Sequence, residues 1–127
     1  MDRFYNDVLH HNAKKCILAY NLSSKEMNAV EKIVDEKFTL IKTNLFTDLL
    51  AVPSVGVFIN TNIISESELT RLFEYYFEGH FDDKSWIMVF MQPVIIPIVL
   101  KESFIYVYKE DNIMQIYEQL CHIADVY

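Results

Sequence analysis

Neutral hydrogen-bonding side chains follow several short apolar runs of this chain. Such groups orient small polar or anionic ligands, and two of them precede sequences typical of helix N-termini, which favour anions. None of them is a general base, so the set predicts binding rather than catalysis. Turns and helix N-caps favour the same residue types, so a purely structural role is the alternative interpretation. The candidate ligand-binding residues are Asn21, Ser23, Asn60, Thr61, Asn62 and Gln92.

The histidines and cysteines lack the spacing of a metal site. Structural zinc sites repeat a pair of ligands two to four residues apart, whereas His10-His11 and Cys121-His122 are adjacent pairs. Neighbouring residues on a helix point about 100° apart, so neither pair converges on one ion. We expect no metal and no Cys-His nucleophile pair. Cys16 and Cys121 lie in apolar runs, which predicts buried thiols in a reducing compartment.

Composition excludes several function classes. The 11 basic residues against 18 acidic ones give a net charge of −7, which argues against direct nucleic-acid binding. An acidic decoy that occupies the basic groove of a nucleic-acid-binding protein remains one functional hypothesis. Two glycines in 127 residues leave neither a P-loop nor a dinucleotide-binding fingerprint, so no cofactor is predicted.

The apolar segment 94–100 predicts a partner surface. Pro97 cannot donate to a strand ladder, which favours an edge strand or an irregular segment that reaches the surface. A core strand with a bulge at Pro97 is the alternative. The run 86–100 is too short for a membrane span and is interrupted by Pro93 and Pro97. The candidate interface residues are Val94, Ile95, Ile96, Ile98, Val99 and Leu100.

Apolar runs and amphipathic stretches alternate along the chain. Capping boxes at Ser23–Glu26 and Ser65–Glu68 each begin a predicted helix, and Asp111 is predicted to cap the last one. A short helix is expected over 45–52, and residues 1–14 predict a helical extension. The predicted strands are 16–20, 38–43, 55–59, 86–91 and 104–108.

This alternation predicts one α/β domain over residues 1–127, with helices on both faces of a mostly parallel five-stranded sheet. The element order is that of a three-layer flavodoxin-like domain with strand order 2-1-3-4-5. No helix is predicted between the last two strands. An α+β fold with an antiparallel edge strand is therefore the alternative.

In length and element order the chain resembles the phosphoacceptor receiver domain of two-component signalling. Receivers carry paired acids after strand one, an acceptor Asp after strand three, Thr or Ser after strand four and Lys after strand five. The matching places hold Asn21, residues 60–62, Gln92 and Lys109, and Lys109 alone fits. The resemblance implies a degenerate receiver without a magnesium site or a nucleophile.

We therefore expect a non-enzymatic, cytoplasmic α/β module that acts through protein contacts, either as a homodimer or with a regulatory partner. A binding domain for a small polar or anionic ligand at the strand ends is the second hypothesis. The acidic decoy is the third. The sequence offers no general base, nucleophile or metal-ligand spacing on which to build an active site.

Overall fold

The computed structural model describes residues 15–77, 86–93 and 105–125. They form five strands and four α-helices, with short 3-10 turns at Asp35–Lys37 and Glu110–Asn112. The strands are β1 (Lys15–Tyr20), β2 (Phe38–Thr43), β3 (Gly56–Ile59), β4 (Ile87–Phe90) and β5 (Ile105–Val107). The helices are α1 (Ser24–Val34), α2 (Phe46–Ala51), α3 (Glu66–Phe77) and α4 (Ile113–Asp125).

The strands form one sheet in the order β2-β1-β3-β4-β5, and every pairing is parallel. This confirms the predicted flavodoxin-like α/β topology. The antiparallel alternative for the last strand is wrong, because Met88 pairs with Ile105 in a parallel register with β4. Each strand lies within a predicted run, and β2 matches its prediction at both ends.

Two apolar cores cover the two faces of the sheet. On one face α2 and α3 pack on Leu18, Val57 and Met88, and on the other α1 and α4 pack on Ile17 and Phe58. The four residues of β3 and of β4 are all buried, as central parallel strands require. These two strands fix the positions of the loops that leave their carboxyl ends.

Gly56 allows β3 and β4 to lie close together. A Cβ atom at this position would stand 2.5 Å from Ile87 Cγ2 and 2.9 Å from the Ile87 carbonyl oxygen. Both distances are shorter than ordinary van der Waals contact, and the second atom belongs to the backbone. Any larger residue at position 56 would therefore push the two central strands apart.

Side-chain caps begin α1 and α3 as predicted. Glu26 N–H donates to Ser23 Oγ at 3.2 Å and Ser23 N–H donates to Glu26 Oε1 at 2.9 Å. Ser65 and Glu68 form the equivalent pair, at 3.1 and 3.0 Å. Reciprocal bonds of this kind satisfy two backbone donors that the helix itself leaves free.

Two local predictions were wrong. Asp111 does not cap the last helix but lies inside the 3-10 turn that leads into α4. The capping role belongs to Asn112, whose Oδ1 accepts from Lys109 N–H at 3.0 Å and whose Nδ2 donates to the Val107 carbonyl at 2.6 Å. The thiols of Cys16 and Cys121 are free and half-buried rather than fully buried, because both residues lie near the ends of their elements.

Several predicted features lie outside the described residues. They are the N-terminal extension over 1–14 and the apolar interface segment 94–100, with Val94, Ile95, Ile96, Ile98, Val99 and Leu100. The described portions of the chain include no helix long and apolar enough to cross a bilayer.

Candidate functional site

The carboxyl ends of the parallel strands meet at one edge of the sheet. In this strand order the chain leaves β1 toward β2 and later returns to add β3 on the other side, so β1 and β3 flank the topological switch point. Ligands of open α/β sheets bind in the crevice at such a point. The predicted polar residues follow β1, β3 and β4, at this edge.

Asn21 joins three strands at this edge. Its backbone has a φ of 55°, a left-handed conformation that asparagine tolerates better than most residues. Its N–H donates to the Thr43 carbonyl at 2.9 Å, and its carbonyl accepts from Asn60 Nδ2 at 2.9 Å. The turn after β1 is thereby fixed to the end of β2 on one side and to the loop after β3 on the other.

The loop after β3 is shaped by its own side chains. Asn62 N–H donates to Asn60 Oδ1 at 3.1 Å, which closes an Asx turn, while the Asn60 amide group reaches across to Asn21. Asn60 therefore uses both ends of its side-chain amide on the protein. Asn62 is exposed.

Thr61 and Gln92 form a reciprocal pair between the loops after β3 and β4. Thr61 N–H donates to Gln92 Oε1 at 2.7 Å, and Gln92 N–H donates to Thr61 Oγ1 at 3.3 Å. The Gln92 amide nitrogen also donates to Glu26 Oε2 on α1. One glutamine thus connects the loops after β1, β3 and β4.

The six predicted residues are brought together, and five of them take part in a network that we call the amide network. It comprises Ser23, Glu26, Asn21, Asn60, Thr61 and Gln92, with Asn62 attached through its backbone. Sequence reasoning gave Glu26 only a capping role and missed its contact with Gln92. No local signal points to that contact, because the two residues are 66 positions apart.

A groove lies on the other side of β1, beside the amide network. It has a volume of about 450 Å³ and runs between the ends of β1 and β2 and the start of α1. Ala19 and Met27 are buried, whereas Lys42 and Asn44 are exposed. The residues that line it are Ala19, Asn21, Leu22, Met27, Lys42, Thr43 and Asn44.

Sequence reasoning placed Asn21 at this edge but missed Lys42, Thr43 and Asn44. A signal existed, because these residues end a predicted strand and the carboxyl ends of all parallel strands meet at one edge. The attention given to strands one, three and four left the end of β2 out of the predicted site.

Tyr20 and Phe46 lie on the opposite face of the sheet at the same edge. Their rings meet edge to face, with centroids 6.4 Å apart, and the Arg71 guanidinium lies 5.5 Å from the Phe46 ring centroid. Burial raises the pKa of Tyr20, the negative charge of Glu68 raises it further, and a hydrogen bond with the Asn21 side chain opposes the rise. The phenol is thus held in its neutral form next to the network.

The positions that match receiver residues are adjacent to the strand ends. Asn21 and Asn60 directly follow β1 and β3, and Gln92 and Lys109 each lie two residues beyond the ends of β4 and β5. Asn60 donates to a backbone carbonyl from the place of the receiver's acceptor Asp. Within the described ranges, no cluster of three histidine, cysteine, aspartate or glutamate residues could hold a metal ion.

Comparison with protein-family models, with curated proteins and with solved structures finds no match to this chain.

Proposed function

We propose that this chain is a non-catalytic α/β module that works through protein contacts. The amide network carries the proposal. Its side-chain amides and hydroxyl groups stand where ligands and substrates bind in this fold, and they donate to and accept from one another. A satisfied network of buried or half-buried polar groups stiffens the loops that it joins.

Carboxylates near this edge also have structural partners. Glu26 and Glu68 each accept from the N-cap backbone of a helix, and Asp48 accepts from the Thr43 hydroxyl at 2.5 Å. A general base needs a free lone pair directed at the substrate's proton. The roles of these three carboxylates support a regulatory rather than a catalytic module.

The resemblance to receivers supports the same proposal. In a receiver the residue after strand three accepts phosphate through a carboxylate, whereas an amide at Asn60 cannot act as that nucleophile. The module would present one fixed arrangement of its loops, set by hydrogen bonds instead of by phosphorylation.

A phosphodonor experiment tests the non-catalytic part. The full chain is incubated with acetyl phosphate and Mg²⁺, and separately with ATP, beside a functional receiver domain as the positive control. Intact-mass spectrometry and a phosphate-release assay should detect no stable phosphorylation and no hydrolysis by this chain. One phosphate retained per chain would contradict the proposal.

Self-association through segment 94–100 is the contact that the sequence favours, because an apolar, β-branched edge in water needs to be covered. Two copies related by a twofold axis would cover it mutually. Sedimentation velocity over a concentration series should show a dimer for the wild type and a soluble monomer for Ile96→Lys. Met114→Lys is the matched control, because Met114 is 66% exposed on α4 and outside that segment.

A wild type that stays monomeric at high concentration, together with an Ile96→Lys variant that unfolds, would contradict the dimer. That result would assign the segment to the core.

A further inference from the structure

We propose that the groove between the ends of β1 and β2 and the start of α1 binds a small organic anion. Its acidic group would bind Lys42 and Asn44, and its apolar body would contact Leu22 and Met27. The site is separate from the amide network and does not depend on self-association.

The first argument is the charge of the groove. Its lining includes one ionisable side chain, Lys42, and no carboxylate, although the chain carries 18 acidic residues against 11 basic ones. The nearby carboxylate of Glu26 does not line the groove, because its two oxygens accept from Ser23 N–H and from Gln92 on the network side. In an acidic protein this local excess of positive charge selects anions.

The second argument is the state of the polar groups. Thr43 Oγ1 donates to Asp48 and also accepts from Leu45 N–H, so its hydroxyl is occupied. Within the described part of the chain, the side chains of Lys42 and Asn44 have no hydrogen-bond partner or ion pair. The two free donor groups of the groove therefore come from neighbouring loop and strand-end positions, two residues apart.

The third argument is the mixed lining and the size. Ala19 and Met27, which are 1% and 6% exposed, give the groove an apolar floor, and Leu22 adds an apolar wall. A volume of about 450 Å³ is within the range of small-molecule sites. An apolar floor below two donors fits a carboxylate or phosphate with a hydrocarbon body better than it fits an inorganic ion.

Benzoate is a suitable probe, with benzamide as its neutral analogue and inorganic phosphate as an anion without an apolar body. In amide NMR spectra of the full chain, benzoate should shift the signals of residues 19–22 and 42–44. Benzamide and phosphate should shift them much less at the same concentration. An equal response to benzamide, an equal response to phosphate or no response to benzoate would each overturn the proposal.

Substitution of the lysine sharpens the test. Lys42→Gln removes the charge at an exposed position and should weaken benzoate binding about tenfold, as expected for loss of a charge-assisted hydrogen bond. Lys37→Gln is the matched control, because Lys37 precedes the other end of β2, about 16 Å away along the strand. It should retain the wild-type affinity. Equal losses in both variants would indicate diffuse electrostatic attraction and would overturn the assigned site.

Discussion

The two sides of β1 at the carboxyl edge use the same kinds of residue in opposite ways. Toward β3 and β4, the side chains of Asn60 and Gln92 bind the protein itself, and the loops are held together. Toward β2, Lys42 and Asn44 border an open groove. The comparison shows that polar residue types at strand ends do not by themselves identify a ligand site. What distinguishes the two sides is whether the protein already satisfies their hydrogen bonds.

The largest expected effect concerns the core below the closed side. Phe73 on α3 is buried and meets Phe90 of β4 edge to face, with centroids 6.2 Å apart. Phe73→Ala should lower the free energy of unfolding by about 3–5 kcal/mol. The exposed neighbour Glu74 is the control, and Glu74→Ala should change it by less than about 0.5 kcal/mol. Urea denaturation measures both, and similar losses would mean that the closed side does not depend on this aromatic pair.

The next effect tests whether the acceptor position of a receiver can be restored. Asn60→Asp removes the donor to the Asn21 carbonyl and places a carboxylate oxygen beside that carbonyl oxygen. We expect a loss of about 2–3 kcal/mol at neutral pH, because a charged group loses its compensating bond. Asn62→Asp, at an exposed position in the same loop, should cost less than about 0.5 kcal/mol. Unchanged stability of Asn60→Asp in urea denaturation would show that the network does not hold this loop.

A smaller effect compares the two sides directly. Gln92→Ala leaves Thr61 N–H without its acceptor and removes the donor to Glu26, which should cost about 1–2 kcal/mol. Asn44→Ala, at the open groove, should stay within about 0.5 kcal/mol of the wild type. Thermal denaturation of the two variants would reverse the comparison if Asn44→Ala proved the more damaging.

The smallest effect appears only at high pH. Burial and the charge of Glu68 raise the pKa of Tyr20 above its usual value of 10.0 in the folded chain. The folded state therefore holds this proton more tightly than the unfolded state does. Its contribution to stability is complete below about pH 10 and is lost as the pH rises through the higher folded pKa.

Tyr20→Phe should accordingly reduce the fall in stability between about pH 8 and about pH 11. Some fall should remain, because burial, aided by Glu118, also raises the pKa of Tyr106. Urea denaturation at the two pH values measures the difference. An identical fall in the wild type and in Tyr20→Phe would place the ionisation elsewhere.

The sequence predicted the strand order because its apolar runs are well separated and because helical stripes lie between them. Capping boxes were equally readable, since Ser23 and Glu26 are three residues apart. The bonds of the amide network were not readable, because Gln92 meets Thr61 and Glu26 across 31 and 66 positions of the chain. Which side of β1 stays open depends on those long-range contacts and not on residue type.

The wholly parallel sheet has a consequence for how the chain folds. Strand β1 needs β2 on one side and β3 on the other, and its partners Phe38 for Lys15 and Gly56 for Ile17 are 23 and 39 positions away. No pair of neighbouring strands is a hairpin that could form early from local sequence. On the ribosome β1 would remain unpaired on one side until β3 emerged, so the central strand of the finished sheet is a late one to be completed.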